Sequence, residues 1–424
     1  MFQNTQRKEF LINMKELLRI LLNKPFLVYL ICFFIPLSIP ATRIVAKLIF
    51  IVILLSLLSG LIRLKKEDLT ILSFSIYQLI QATLLGVFRK FLSISFGIYS
   101  SFSYGVKFFK FSPKIALDIV LLASALLSTT FIFQSFTGIN LKQLSSIDLS
   151  SLKFTFPPQR PWNPILEHPL TVGGVISTGA IIGIFRYIER KTPIYLAGII
   201  LNIFALLVSY DRSYWLSFFF SVLIALTFVF QKQSLKRKLA ILCILCILPF
   251  SILSVPSFES RFKSIFDTTT NGSNIYRLAM WESGIKFFKE ASFTEKLLGT
   301  SRVKFKEKIK PFLIKTYGEF NQSKEVKIKL EPIIFNHLHN NFINILVCYG
   351  ILGLTVFILL FGFLLKVNFC SYRESGNLQY LMFLTIYINW LLAGLFEYNF
   401  GDEAVKFLMF LMIGINIKYK ELNA

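Results

Sequence analysis

The stretch Glu331–Leu354, EPIIFNHLHNNFINILVCYGILGL, decides how this chain is read, because it runs on without a polar break to Leu365. It carries two of the three histidines of the protein, His337 and His339, directly before an apolar run long enough to cross a bilayer. An ionisable group at the mouth of a membrane span is costly to place, which makes it a functional-site candidate. The plainer alternative is a histidine bonded only to headgroups or neighbouring loops.

Apolar runs of the same kind recur from end to end. Of the 424 residues 54% are hydrophobic, which implies a polytopic membrane protein rather than a soluble enzyme. The formal charge of +23 would suggest nucleic acid in a soluble chain. Here the basic residues cluster in short loops, as membrane orientation requires, so no nucleic-acid partner is expected. The cysteines Cys32, Cys243, Cys246, Cys348 and Cys370 all lie in or beside apolar runs; the CxxC at 243–246 has no second ligand pair and reads as apolar filler. No cleavable signal peptide is expected, since further apolar runs follow the first.

Working outward, the pattern predicts an all-α protein with twelve spans, at 25–40, 42–62, 69–88, 91–107, 115–135, 170–186, 193–209, 212–230, 238–255, 341–365, 377–395 and 403–418. Residues 1–24 form a cytoplasmic amphipathic segment: Phe10, Leu11, Met14, Leu17, Leu18, Leu21 and Leu22 recur at helical spacing, as in a helix lying on a membrane surface. With both termini cytoplasmic, RLKKED at 63–68, Lys107, Lys110 and Lys114, RYIERK at 186–191, QKQSLKRK at 231–238, Lys366 to Arg373 and KYKE at 418–421 all fall inside. Removing the weakest span, 91–107, would turn RYIERK and QKQSLKRK outward. Arg43, Arg89 and Lys90 remain as exceptions on the outer side. Spans one to nine thus cover 25–255, with an outer loop at 136–169 whose FTFPPQRPWNP segment is extended. An outer domain follows at 256–340 and the last three spans at 341–424. The outer domain is expected to be mostly helical, with Ile275, Leu278, Trp281, Ile285 and Phe288 at helical intervals and a basic stretch at 303–315.

Three features of the outer face carry chemistry. Arg212, after Asp211 at the start of a span, offers a planar fork that binds phosphate bidentately; the alternative is an Arg212–Asp211 pair. Arg277 stands four residues before Trp281 on a helix; the alternative is a solvated helix face. The third is His339: a neutral imidazole, a side chain type whose reference pKa is about 6.5, can take a proton from a sugar hydroxyl, help worth about 10²–10⁴ in rate. His337 reads as a loop residue and His168 as a cap at a span entrance. There is no Walker A, no GxGxxG and no metal-ligand cluster, and Asp118 is the main acid within a span.

Three blocks, in order, resemble the O-antigen ligase and polymerase superfamily of bacterial inner membranes. ALLVSYDRSYW at 205–215 is similar to the family's Thr-x-Ser-Arg-Gly block, with Arg212 on its Arg, Asp211 for its Ser and Ser213 for its Gly. YRLAMWESGIKFFKEASFTEKLLGTS resembles its Arg-x-x-x-Trp helix and Leu-Leu-Gly turn, through Arg277, Trp281 and Gly299. His339-Asn340-Asn341-Phe342 with Gly350 to Leu354 resembles its His-Asn-x-aromatic and Gly-x-x-Gly-Leu signature, Cys348 standing where an acid is common. GLFEYNFGDEAV, Gly394–Val405, looks like the ligase side of the family.

The resemblance implies a GT-C-like membrane enzyme performing inverting glycosyl transfer at the periplasmic face of the inner membrane, without metal or cofactor. The donor would be a glycan on undecaprenyl pyrophosphate and the acceptor a sugar hydroxyl of lipid A–core. Arg212 and Arg277 would hold the diphosphate, His339 would be the base, and His337, Asn340 and Trp281 would line the substrate site. Membrane lipids would surround it, and no obligatory protein partner is implied. An O-antigen polymerase, and a lipid or glycan transporter, are the other readings.

Overall fold

The computed structural model describes residues 2–87, 102–139, 154–161, 165–166, 168–229, 254–323 and 337–423, with side chains from Leu11 onward. The expected span 238–255 up to residue 253, most of the expected span 91–107, the loop 231–238, Cys243 and Cys246 lie outside the described residues. Within them the chain is helical and carries no strand. The helices are α1 (Phe2–Asn23), α2 (Phe26–Phe34), α3 (Ile39–Leu58), α4 (Lys66–Leu84), α5 (Pro113–Thr137), α6 (Pro169–Arg190), α7 (Pro193–Val208) and α8 (Arg212–Val229). They continue as α9 (Pro256–Lys263), α10 (Gly272–Glu290), α11 (Phe293–Leu298), α12 (Ser301–Ser323), α13 (Asn341–Ser375), α14 (Leu378–Ala393) and α15 (Glu403–Asn423), with 3-10 turns at Phe102–Phe108 and Asn399–Gly401.

This is an all-α, polytopic membrane protein. Among the described residues α3, α5, α6, α8 and α13 are long and apolar enough to cross a bilayer, and α1 with α2 forms a further apolar pair bent by 52°. On α3 the outward residues Ile44, Leu48, Ile51, Leu54 and Leu58 are all apolar and exposed, while Val45, Ala46, Ile49 and Ile53 on the other side are buried. Apolar side chains on both faces of a helix suit a lipid surround and no other solvent. The expected spans at 69–88 and 403–418 are also helices, the latter more buried than α3. Helix α4 buries Asp68, Gln78 and Gln81, and α15 is buried from Ala404 to Ile417, so each presents polar groups to protein rather than a fully apolar surface to lipid. On α1, Leu18 is buried and Met14, Leu21 and Leu22 pack beside it, whereas Leu11 and Leu17 point outward.

Two expectations are corrected by packing. The run from Asn341 to Leu365 is not continuous: Gly350 has φ +67 and ψ −172 and breaks α13. The turn between α11 and α12 enters this break. A Cβ on Gly299 would lie 2.4 Å from the Cys348 carbonyl carbon, and one on Gly350 would lie 2.3 Å from the Leu297 oxygen, so only glycine permits the approach. Thr300 N–H donates to the Val347 carbonyl (3.0 Å), and Gln81 Nε2 and Tyr77 Oη donate to the Cys348 and Tyr349 carbonyls (2.8 and 2.6 Å). The carbonyls released by the break are thereby satisfied, as burial demands.

The second correction concerns α10. Its buried seam is Ile275, Ala279, Met280, Ser283, Gly284 and Phe287, while Ile285 is exposed. Small residues set this face because α13 comes close: a Cβ on Gly284 would meet Ile343 and Leu338 at 2.7 Å. Helix α12 packs on it through Phe305, Ile309, Leu313 and Tyr317, buried at i, i+4 intervals despite Pro311 within the helix.

Candidate active site

The site is assembled from four segments far apart in sequence. The first is the start of α8. Asp211 Oδ1 accepts the Ser213 and Tyr214 N–H groups (3.1 and 3.4 Å), an N-cap that orients the helix start. Arg212 is therefore not paired with Asp211, and that alternative falls. Its guanidinium instead donates from Nη1 to the carbonyl and hydroxyl of Ser264 (2.6 and 2.9 Å) and from Nη2 to Ser273 Oγ (3.4 Å).

The second segment is α10. Arg277 Nη1 donates to the same Ser273 hydroxyl (3.0 Å), so one side chain joins the two guanidinium groups. Its Nη2 binds Glu397 Oε1, which also accepts from Ser213 Oγ at 3.2 Å. Arg277 thus lies off the solvated face. Its Nε is buried and has no hydrogen-bond partner among the described residues, a donor left over for a ligand.

The third segment holds the histidines. His339 has φ +47, a left-handed conformation that histidine tolerates better than most residues but that still costs about 1–3 kcal/mol. The surroundings enforce it. Trp281 Nε1 donates to the His339 carbonyl (3.3 Å), and Asn340 caps α13 through Ile343 N–H (2.9 Å) while its Nδ2 binds the Leu395 carbonyl (2.7 Å). Asn341 N–H donates to the Gly394 carbonyl (2.7 Å), and its side chain bonds Asn399 (2.6 Å). A Cβ on Gly394 would lie 2.2 Å from Asn341 Nδ2, so this join also depends on glycine.

The fourth segment, the connection between α14 and α15, supplies the centre. Glu397 Oε2 lies 2.8 Å from His339 Nδ1. Burial alone would raise this carboxyl, but the charges of Arg277 and then His339 outweigh it and hold Glu397 well below the usual carboxylate range. Whenever the imidazole is neutral, the carboxylate favours the proton on Nδ1 and leaves the lone pair on Nε2. His337 stacks edge-on against His339 (centroids 4.3 Å apart) and near Tyr398 (5.6 Å); burial, then His339, pushes its pKa down to about 3, so it is neutral.

Further charges gather here. Burial, then the charge of Glu397, raises Asp211 to about 7; its Oδ2 is buried without a hydrogen-bond partner among the described residues. Arg160 lies within Coulombic range of Asp211, Glu397 and Arg277, and Arg261 Nε donates to the Tyr210 carbonyl (3.0 Å). His168 caps α6 by accepting Leu170 N–H (3.2 Å), and burial lowers its pKa. Asp118, by contrast, forms a two-pronged pair with Arg186 (2.7 and 2.8 Å). Among the described residues no three His, Cys, Asp or Glu side chains gather as a metal site.

Arg212, Arg277, His337, His339, Asn340 and Trp281 are thus brought together. Three further charged residues of the site, Glu397 in the GLFEYNFGDEAV block, Arg160 in QRPW and Arg261, are not marked out by the sequence patterns above. The signal for Glu397 was a carboxylate between two apolar runs, a placement as costly as that of His339.

No curated protein matches the chain. Residues 197–358, which carry Arg212, Arg277, His339 and the break at Gly350, match the family model described as O-antigen ligase, and over that segment the chain is similar to that family.

Proposed function

We propose that the protein is an O-antigen ligase, transferring a glycan from undecaprenyl pyrophosphate to a sugar hydroxyl of lipid A–core on the periplasmic side of the bacterial inner membrane. The observation that supports this reading best is the line Arg212–Ser273–Arg277–Glu397–His339, in which two guanidinium groups and one imidazole share a carboxylate and a hydroxyl.

In this mechanism the diphosphate rests against Arg212 and Arg277. The acceptor hydroxyl gives its proton to His339 Nε2 as its oxygen attacks the anomeric carbon from the face opposite the diphosphate. The bond from that carbon to the diphosphate oxygen breaks, and its electron pair leaves with the lipid diphosphate, so the configuration inverts. The arginines stabilise the charge that develops on the leaving group, and the Glu397 carboxylate stabilises the imidazolium. No metal takes part in this scheme. The proposed membrane arrangement keeps all twelve spans, both termini cytoplasmic, and α9–α12 in a periplasmic domain.

The test is reconstitution with purified lipid-linked glycan and either lipid A–core or a second lipid-linked glycan. Sugar gained by lipid A–core is the expected result. Extension of the second lipid-linked glycan would make the enzyme a polymerase, and movement of glycan without a new glycosidic bond would make it a transporter.

A further inference from the structure

A second group of cations stands beside the histidine pair and takes no part in the scheme above. Lys406, one turn into α15, is 6% exposed, and among the described residues its ammonium has neither a hydrogen bond nor a carboxylate partner. Its one contact of this kind is the Phe400 ring, at 5.0 Å. Arg302, at the start of α12, lies within Coulombic range of Lys406 and of His337, Tyr349 and Tyr398, and among the described residues it too has no ion pair. The nearby carboxylate, Glu403, is already held two-pronged by Arg43 (2.6 and 2.5 Å). The α12 N-terminus adds its own positive end, and Ser301 there, 1% exposed, has a hydroxyl without a hydrogen-bond partner. Buried charges in folded proteins are ordinarily paired, so an uncompensated pair of cations marks a place that an anion fills.

We propose that Arg302 and Lys406 form a second anion subsite, which takes a phosphate group of the acceptor lipid. The order of contacts supports the acceptor rather than the donor. The donor diphosphate is assigned to Arg212 and Arg277, whereas Arg302 lies within Coulombic range of His337, which stacks on His339, so this second cation group is left for the other substrate of the base. The assignment rests on the proposed transfer reaction, but the subsite itself does not.

The experiment compares lipid A–core with its phosphates intact and the same lipid after phosphatase treatment, binding to the full chain in detergent. The phosphorylated form should bind at least tenfold more tightly. That advantage should vanish in Arg302→Gln and Lys406→Met, return in Lys406→Arg, and leave the KM for donor unchanged. Equal binding of the two lipids to the wild-type chain overturns the subsite, and this comparison stands even where a variant fails to fold. Loss of the advantage when phosphatidylglycerol is added at equal mole fraction overturns the acceptor assignment and gives the site to a bulk lipid headgroup. Phosphate-dependent binding without any glycan transfer would leave the subsite standing and remove the ligase reading; transfer without phosphate-dependent binding would do the reverse.

Discussion

Glu397 holds Arg277 with one carboxylate oxygen and His339 with the other. A single buried acid therefore sets both the group proposed to bind the leaving diphosphate and the group proposed to take the proton.

This gives the first prediction. His339→Ala should lower transfer by 10²-fold or more while leaving donor binding intact. Glu397→Gln keeps the shape but not the charge; it should lower kcat by about tenfold to a hundredfold and shift the pH profile of kcat, because the imidazolium loses its counter-charge. As a positioning residue, Glu397 should add little once His339 is gone. Steady-state kinetics of the two single variants and the double variant would show it, and additive losses would separate the two roles.

Arg212 uses both ends of its fork, on Ser264 and on Ser273. A lysine has one ammonium and cannot span the two. Arg212→Lys should therefore raise the KM for donor by at least tenfold, measured with purified lipid-linked glycan. Wild-type kinetics in this variant would reduce Arg212 to a structural tie.

Asp211 is buried, with its pKa raised to about 7 chiefly by burial and then by Glu397, against the opposing pull of Arg160 and Arg277. In the unfolded chain the group ionises near 3.8. Between those two values the folded form holds the proton and the unfolded form does not, so stability falls as pH rises from about 4 to about 7. Asp211→Asn removes that dependence and preserves the cap. The variant should match the wild type in thermal unfolding at pH 4 and exceed it at pH 7; equal melting at both would show that the carboxyl is ionised in the fold.

Gly350→Ala should destabilise the protein by on the order of 2–4 kcal/mol, since the new methyl meets the Leu297 carbonyl and the backbone has φ +67. Loss of thermal stability without a change in donor KM is the expected pattern. An unchanged melting temperature would mean that the α11–α12 turn withdraws from the break at no cost.

The helices were legible because apolar length and loop charge are local properties. Boundaries such as 193–209 and 212–230 sit within a residue or two of α7 and α8. The break at Gly350 was not legible, since its cause is a turn fifty residues away that enters the helix and needs glycine on both sides. The seam of α10 was misplaced for a related reason: large apolar residues mark burial in isolation, but Ala279, Ser283 and Gly284 mark a helix approached closely by another. At the site, arginine and histidine stood out by type. Glu397 did not, because its partners, Arg277 and His339, lie 120 and 58 positions away.

The place of Glu397 in the chain also governs how the enzyme matures. A nascent polypeptide that has emerged only as far as α14 already contains both guanidinium groups and the imidazole, yet lacks the acid that joins Arg277 to His339. The centre therefore becomes complete only once residue 397 has been added, and a ribosome stalled before it leaves Arg277 and His339 without the acid that joins them.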